Sequence, residues 1–423
     1  MSDVTTDGTH NVRLDDVVIT VIMARVTDFF GFFVYAIASA LVFPRVFFPH
    51  LDPIAGTLWS FALFSLAFLA RPIASMLGRV IQQKIGRPGK VTLALMILGS
   101  STVAIGLLPG YETLGWMAPV LLGFLRFLQG IGLGGAWDGI TLQLKSASTK
   151  GREGLYSMVP QLGGPIGFAV AAALFFVLTG FLTDEEFITY GWRFAFFAVM
   201  AVNVVSLFAR LRLMTTNFGG DDLLLRSSPM LDLLRVEWRN VLLSAMIPIS
   251  SYALFHLVTV FPLTYAMLFS DKSIPYVLML QLVGAILAIA AVILSGFLAD
   301  KFSKRLVLLV STAFVPLLCF AIGTLNTNPA VYILFGFVLL GLSYGQSSSI
   351  VPNRFALTFR YSGSALATNL SWILGAAFAP YIALFLAWQF GLWAVSFYLI
   401  SGAMVTAISL ALLQTRIDEQ SAA

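Results

Sequence analysis

The chain of 423 residues is poor in the groups that carry most enzyme chemistry. Its one cysteine, Cys319, lies in an apolar run, which excludes a disulfide framework. The three histidines stand apart at His10, His50 and His256, so no spacing fits a metal site and no cofactor is implied. No glycine-rich phosphate loop and no nucleophile–base arrangement occurs, so an enzyme is not expected and no catalytic residue is named. Charged residues make up only 11% of the chain. The net charge is +5, but the basic residues are scattered over short loops, so nucleic acid is not an expected partner. The first fifteen residues lack a secretory signal's basic head and cleavage site and read as a short tail.

What is abundant is apolar sequence, at 59%. A membrane-spanning helix needs ~20 apolar residues, and such runs recur along the chain. Twelve spans are expected, near 16–41, 56–80, 91–109, 115–143, 155–181, 192–213, 240–268, 275–299, 306–324, 330–352, 363–386 and 390–413. Lys and Arg fall in alternate loops, with Lys84, Arg87, Lys145, Arg210, Arg239, Lys301, Lys304 and Arg360 on one side. The other side has little beyond Arg45, Lys272 and possible Arg193. The basic side is therefore cytoplasmic, and both termini lie there. The fold class is an all-α membrane protein set in the lipid bilayer.

One long polar interruption divides the chain. The expected organisation is a tail over 1–15, a six-helix bundle over 16–214, a connector over 215–238, a second bundle over 239–414 and a tail over 415–423. The halves echo one another. KIGRPGKVTLALMI from Lys84 is matched by KFSKRLVLLVSTAF from Lys301, and GLYSMVPQLGGPIG from Gly154 by GSALATNLSWILGA from Gly363, at offsets of about 210 residues.

Several segments carry a family resemblance. ARPIASMLGRVIQQKIGRP follows the pattern R-P-x-G-x(4)-G-x(3)-D-R-x-G-R, and GFLADKFSKR is its second copy. YAIASALVFPRVFFP, RFLQGIGLGG, GWRFAF and FRYSGSALATNL add narrower matches. Together these resemble the major facilitator superfamily and, within it, the metabolite:proton symporters of bacteria. The resemblance implies two pseudo-symmetric six-helix bundles with a site between them near mid-membrane. It further implies a bacterial inner membrane, and a small organic acid, aromatic acid or zwitterionic osmolyte as cargo, usually moved with a proton. A monomer is expected. The chain departs from the family pattern at Asp28-Phe29-Phe30-Gly31-Phe32, where E-W-Y-D-F is usual, and at Ala136-Trp137-Asp138, where the acid comes two residues earlier. Gln83 stands where the loop motif has an acid, and Asp300 keeps that acid in the second copy. Gln83, Arg87, Asp300 and Lys304 are accordingly the expected gating residues.

Charge at lipid depth costs roughly 2.5–3.5 kcal/mol per residue on insertion scales, and it marks pathways. Arg25, Asp28, Phe32 and Tyr35 share one helical stripe. Either Arg25 binds a substrate carboxylate while Asp28 takes a proton, or the two neutralise each other. Arg126, mid-way along the fourth span, is the expected anion anchor, with Trp137 on the same face as a stacking wall. The alternative has Arg126 bracing Asp28. Asp138 is a second proton candidate. His256, near Tyr252 in the seventh span, has an ordinary pKa of ~6.5 that suits proton exchange. Gln129, Gln161, Asn369 and Trp372 are expected at mid-depth, either orienting a ligand or bonding between helices. The run Phe29, Phe30, Phe32, Phe33 is expected to be mainly lipid-facing and packing surface. Glycines from Gly130 to Gly167 are expected to let helices approach closely.

These residues point to a secondary transporter of a small organic carboxylate, working by alternating access and coupled to protons. The alternatives are an uncoupled facilitator or exchanger, an osmolyte carrier, and a non-transporting sensor.

Overall fold

Helices begin where the sequence supplies caps. Asp52 accepts from the backbone N–H groups of Ile54 and Ala55, and Pro53 follows at the first helical position. Thr183 and Glu186 form a reciprocal capping box, and Ser303 accepts from Leu306 N–H. Inside the helices, hydroxyls bond back to carbonyls one turn earlier, as Thr57 does to Pro53 and Thr179 to Phe175. Polar side chains thereby sit in apolar surroundings without a stranded donor.

The computed structural model describes residues 14–136, 144, 151–215 and 228–421. Twelve helices within these residues are long and apolar enough to cross a membrane. They are α1 (Val17–Leu41), α2 (Pro53–Gly78), α3 (Val80–Leu107), α4 (Met117–Gly135), α5 (Glu153–Phe181) and α6 (Asp184–Phe208), then α7 (Met230–Phe269), α8 (Ile274–Lys301), α9 (Lys304–Ala321), α10 (Pro329–Ser347), α11 (Arg360–Phe390) and α12 (Leu392–Leu412). These are the twelve stretches expected from hydropathy. One extension is large: α7 begins at Met230, so the chain is already helical within the stretch expected to be connector. Most of the remainder of that stretch lies outside the described residues. Pro248 caps a break in α7, and Gly86, at φ 73°, kinks the chain near the start of α3.

The first six helices pack together, the last six likewise, and the same device closes both halves. In α4, Gly130 and Gly134 face Ala67 and Arg71 of α2; in α10, Gly341 and Gly345 face Ala288 and Ser295 of α8. Small residues four apart let backbones touch, which is what association in lipid requires. Outward faces carry large apolar side chains such as Phe181, Phe208, Ile286 and Phe320, as a lipid-facing surface does.

The run Phe29, Phe30, Phe32, Phe33 corrects the sequence expectation. All four rings are buried, at 6% exposure or less, and Phe29, Phe32 and Phe33 pack against the second half. They line the seam because α1 crosses the other half there, against Phe255 and His256 of α7. Gly163 of α5 meets the backbone of Arg25, so a methyl group there would collide with it. Gly163→Ala should therefore cost about 1–3 kcal/mol, read as a lower unfolding midpoint in detergent. Gly180→Ala, whose methyl would meet nothing within 4 Å, should leave that midpoint unchanged.

Candidate functional site

Arg126 is 1% exposed and has no carboxylate partner among the described residues. Its Nε donates to the Phe64 carbonyl at 3.2 Å and its Nη1 to Gln129 Oε1 at 3.0 Å. Gln129 in turn donates from Nε2 to Thr102 Oγ1 at 2.8 Å. Gln129 thus has both ends spent inside the first half. It holds Arg126 in place rather than presenting an amide to a ligand. The guanidinium lies 3.8 Å from the Tyr35 ring centroid and 4.9 Å from that of Phe64. Its Nη2 has no acceptor, and the buried Tyr35 hydroxyl is unpartnered as well.

His256 approaches from α7 in the other half. Its ring centroid is 5.4 Å from Phe64 and 5.5 Å from Phe32, and the Arg126 charge reaches it. It is 0% exposed, and neither ring nitrogen has a hydrogen-bond partner. Buried polar atoms are ordinarily paired. Here Arg126 Nη2, Tyr35 OH and both His256 nitrogens are unpaired at one level of the seam.

A second level lies one aromatic layer toward the basic face. Arg71 of α2 lies over Phe68 at 5.2 Å and Trp372 at 5.8 Å, and Trp372 stacks on Tyr252 with centroids 4.1 Å apart. Arg25 of α1 lies over Phe29 at 5.3 Å. A π-helical turn, Ile373–Ala377, follows Trp372 directly, a device that recurs at functional sites.

Asp28 is not Arg126's partner. Its Oδ1 accepts from Arg210 Nη2 at 2.7 Å, and its Oδ2 lies 3.8 Å from Arg25 Nη1. Arg210 also donates to the Ala24 carbonyl at 2.9 Å. The alternative reading, in which Arg126 braces Asp28, is therefore not what the structure shows: Asp28 bridges α1 to Arg210, just past α6.

Two expected mid-depth amides instead join the halves toward the basic face. Gln161 donates to Ser348, and Asn369 Nδ2 to Ser75 Oγ at 2.7 Å. Among the expected gating residues, Asp300 accepts from the backbone N–H groups of Gly154 and Leu155 at the start of α5, and Lys304 donates to Ser157 at 2.8 Å. Gln83 is exposed and Arg87 half-buried. Trp137 and Asp138 lie outside the described residues. Sequence reasoning missed Arg71, Arg210 and Tyr344. The first two border apolar runs, where an arginine reads as a loop charge, and Tyr344 carried no separate signal.

A family model for the Major Facilitator Superfamily matches residues 29–373. The chain belongs to that superfamily. Members similar to it over nearly its full length are metabolite transporters. The inner membrane metabolite transport protein YhjE of Escherichia coli is 36% identical, covering 94% of this chain and 93% of its own. The citrate-proton symporter of Klebsiella pneumoniae is 30% identical, covering 84% and 81%, and the shikimate transporter of E. coli 28%, covering 92% and 92%. Among solved superfamily structures, a D-xylose-proton symporter overlays with TM-score 0.70 at 14% identity, over 95% of this chain and 98% of that one. The chain is thus a multi-pass membrane transporter of metabolites with the superfamily fold, and not an enzyme.

The Asp28–Arg210 pair yields a prediction. Breaking a buried pair strands a charge at about 3–5 kcal/mol. Asp28→Leu should lower the unfolding midpoint, and adding Arg210→Met should restore most of the loss. Equal losses from the single and double variants would show that the pair does not tie α1 to α6.

Proposed function

We propose that this member of the superfamily moves a small organic carboxylate by alternating access, coupled to a proton. The observation that carries the reading is the set of unpaired buried nitrogens on Arg126 and His256, one from each half. A carboxylate between them would accept from the guanidinium and from an imidazole N–H, and such charge-assisted bonds are the strong ones. A substrate that touches both halves favours their closure around it, as alternating access needs.

Asp28 is the first candidate for the coupled proton. Held between Arg210 and Arg25, it neutralises part of their charge. A proton on Asp28 removes that negative charge and leaves the guanidiniums free to attract an anion. His256 is a second candidate, because a protonated imidazole donates from both nitrogens. Asp138, the second proton candidate from the sequence, lies outside the described residues and stands after these two.

An osmolyte carrier would need bare aromatic faces for its ammonium group. The faces at this seam are already covered by guanidiniums: Arg71 over Phe68 and Trp372, Arg126 over Tyr35 and Phe64. That favours an anion over a zwitterion. Gln161, Asn369, Asp300 and Lys304 act as the cytoplasmic latch in this reading, with the basic face inside, both termini cytoplasmic and a bacterial inner membrane as the location. The working unit is one chain.

The test is uptake of labelled shikimate, citrate and simple carboxylates into proteoliposomes under an imposed pH gradient. Uptake should be driven by an external acid gradient, and Arg126→Ala should slow it about tenfold or more. Asp28→Asn should retain carboxylate exchange and lose gradient-driven accumulation. Uptake indifferent to the gradient would remove coupling and leave a facilitator or exchanger. Wild-type uptake by Arg126→Ala would remove the anchor.

A further inference from the structure

We propose that Arg71 and Arg25, with Tyr252 and Tyr344, form a second anion subsite one aromatic layer from Arg126 and His256, so that the transported acid carries two carboxylates and is held at both ends. The inference rests on the carboxylate reading above and extends it to the other end of the molecule.

Arg71 is enclosed by rings rather than by acceptors. Its guanidinium sits over Phe68 and Trp372, and its Nε has no hydrogen-bond partner. Beyond Trp372 stands Tyr252, stacked on it at 4.1 Å, and then Tyr344, its ring 6.0 Å from that of Tyr252. Asp28 is already engaged by Arg210 at 2.7 Å. Arg25, whose Nε is also unpartnered, lies over Phe29 and has Asp28 as its carboxylate neighbour only at the longer 3.8 Å. Among the described residues, four arginines, Arg25, Arg71, Arg126 and Arg210, thus share one carboxylate at the seam. Like charges at this depth are costly unless an anion joins them. A monocarboxylate at Arg126 and His256 would leave the Arg71 level uncompensated.

The spacing suits one molecule. Arg126 lies over Phe64 and Arg71 over Phe68, rings one turn apart on α2 with centroids 5.3 Å apart. An aliphatic diacid of roughly four to six carbons reaches over about one helical turn, the offset of those two rings along α2. Its methylene chain would run past Phe32, Phe68 and Trp372, which are mutually packed at 5.4–6.2 Å. The subsite also draws on both halves: Arg25 and Arg71 from the first, Tyr252, Tyr344 and Trp372 from the second.

The experiment is calorimetric titration of the purified full chain with succinate, glutarate and adipate, each beside its half-amide. In the wild type, at least one diacid should bind about tenfold tighter than its half-amide. In Arg71→Gln the ratio for that diacid should fall to about one, and in Arg71→Lys it should be partly kept. The wild-type comparison needs no variant, so a folding defect in Arg71→Gln leaves the test intact. Equal wild-type affinity for diacids and half-amides would overturn the second subsite while the carboxylate anchor stands. A ratio unchanged in Arg71→Gln would remove Arg71 from it. Binding of neither acid type, nor of any monocarboxylate, would bring down the carboxylate reading and this inference with it.

Discussion

A guanidinium buried without a carboxylate is the constraint around which the seam is arranged. Arg126 is held by a carbonyl, an amide oxygen and the faces of two rings. None of these carries a full negative charge. Quadrupoles and dipoles stabilise a buried cation only in part. Had Asp28 paired with Arg126, the charge would have been cancelled and the site closed to anions. The chain instead commits Asp28 to Arg210, just past α6, and leaves Arg126 short of one acceptor. His256 meets the same rings from the other half with two idle nitrogens, so the deficit lies where the halves meet.

Packing decides where these cations point. Gly134 rests on the backbone of Arg71 and Gly163 on that of Arg25. With the helices in backbone contact at those positions, there is little room for the arginine side chains between neighbours of their own half. They extend along the seam and cover aromatic faces there. The glycine-rich stretch therefore sets how closely these helices approach. It is the spacer that lets α2 and α1 deliver guanidiniums to the interface.

Much of the fold was legible because lipid leaves little choice. Backbone groups in hydrocarbon must bond within helices, so apolar length alone marks the spans. Arg126 was legible for the related reason that charge deep in such a run needs an explanation. Arg210 and Arg71 were not, because both stand near the ends of apolar runs, where an arginine reads as a loop charge. Only the course of α6 and α2 reveals that one is 2% exposed and that the other lies over Trp372. The phenylalanines of α1 were misjudged because a lipid-facing ring and a buried ring are the same residue to a hydropathy count. The amides were the least legible. Gln129, Gln161 and Asn369 have the same chemistry, yet one holds an arginine three residues away and two bridge the halves to partners 187 and 294 residues away.

The two zones of the seam differ in chemistry, and the difference bears on how the halves can move. Toward the basic face they are joined by discrete polar bonds: Asp300 to the start of α5, Lys304 to Ser157, Gln161 to Ser348, Lys90 to Tyr361 and Asn369 to Ser75. Exchange for water changes the free energy by only about 0.5–1.5 kcal/mol for the neutral bonds and about 1.5–3 kcal/mol for those of Asp300, Lys304 and Lys90. In the middle the contact is aromatic, Phe29 and Phe33 on Phe255 and Phe168 against Phe337. Separating those rings would expose apolar area at roughly 25 cal/mol per Å² with no compensating bond to water. Motion that keeps the rings together while the polar bonds part is therefore the less costly one. On the proposed alternating-access reading the aromatic layer would serve as the pivot, and the cations on either side of it would be the groups whose exposure changes.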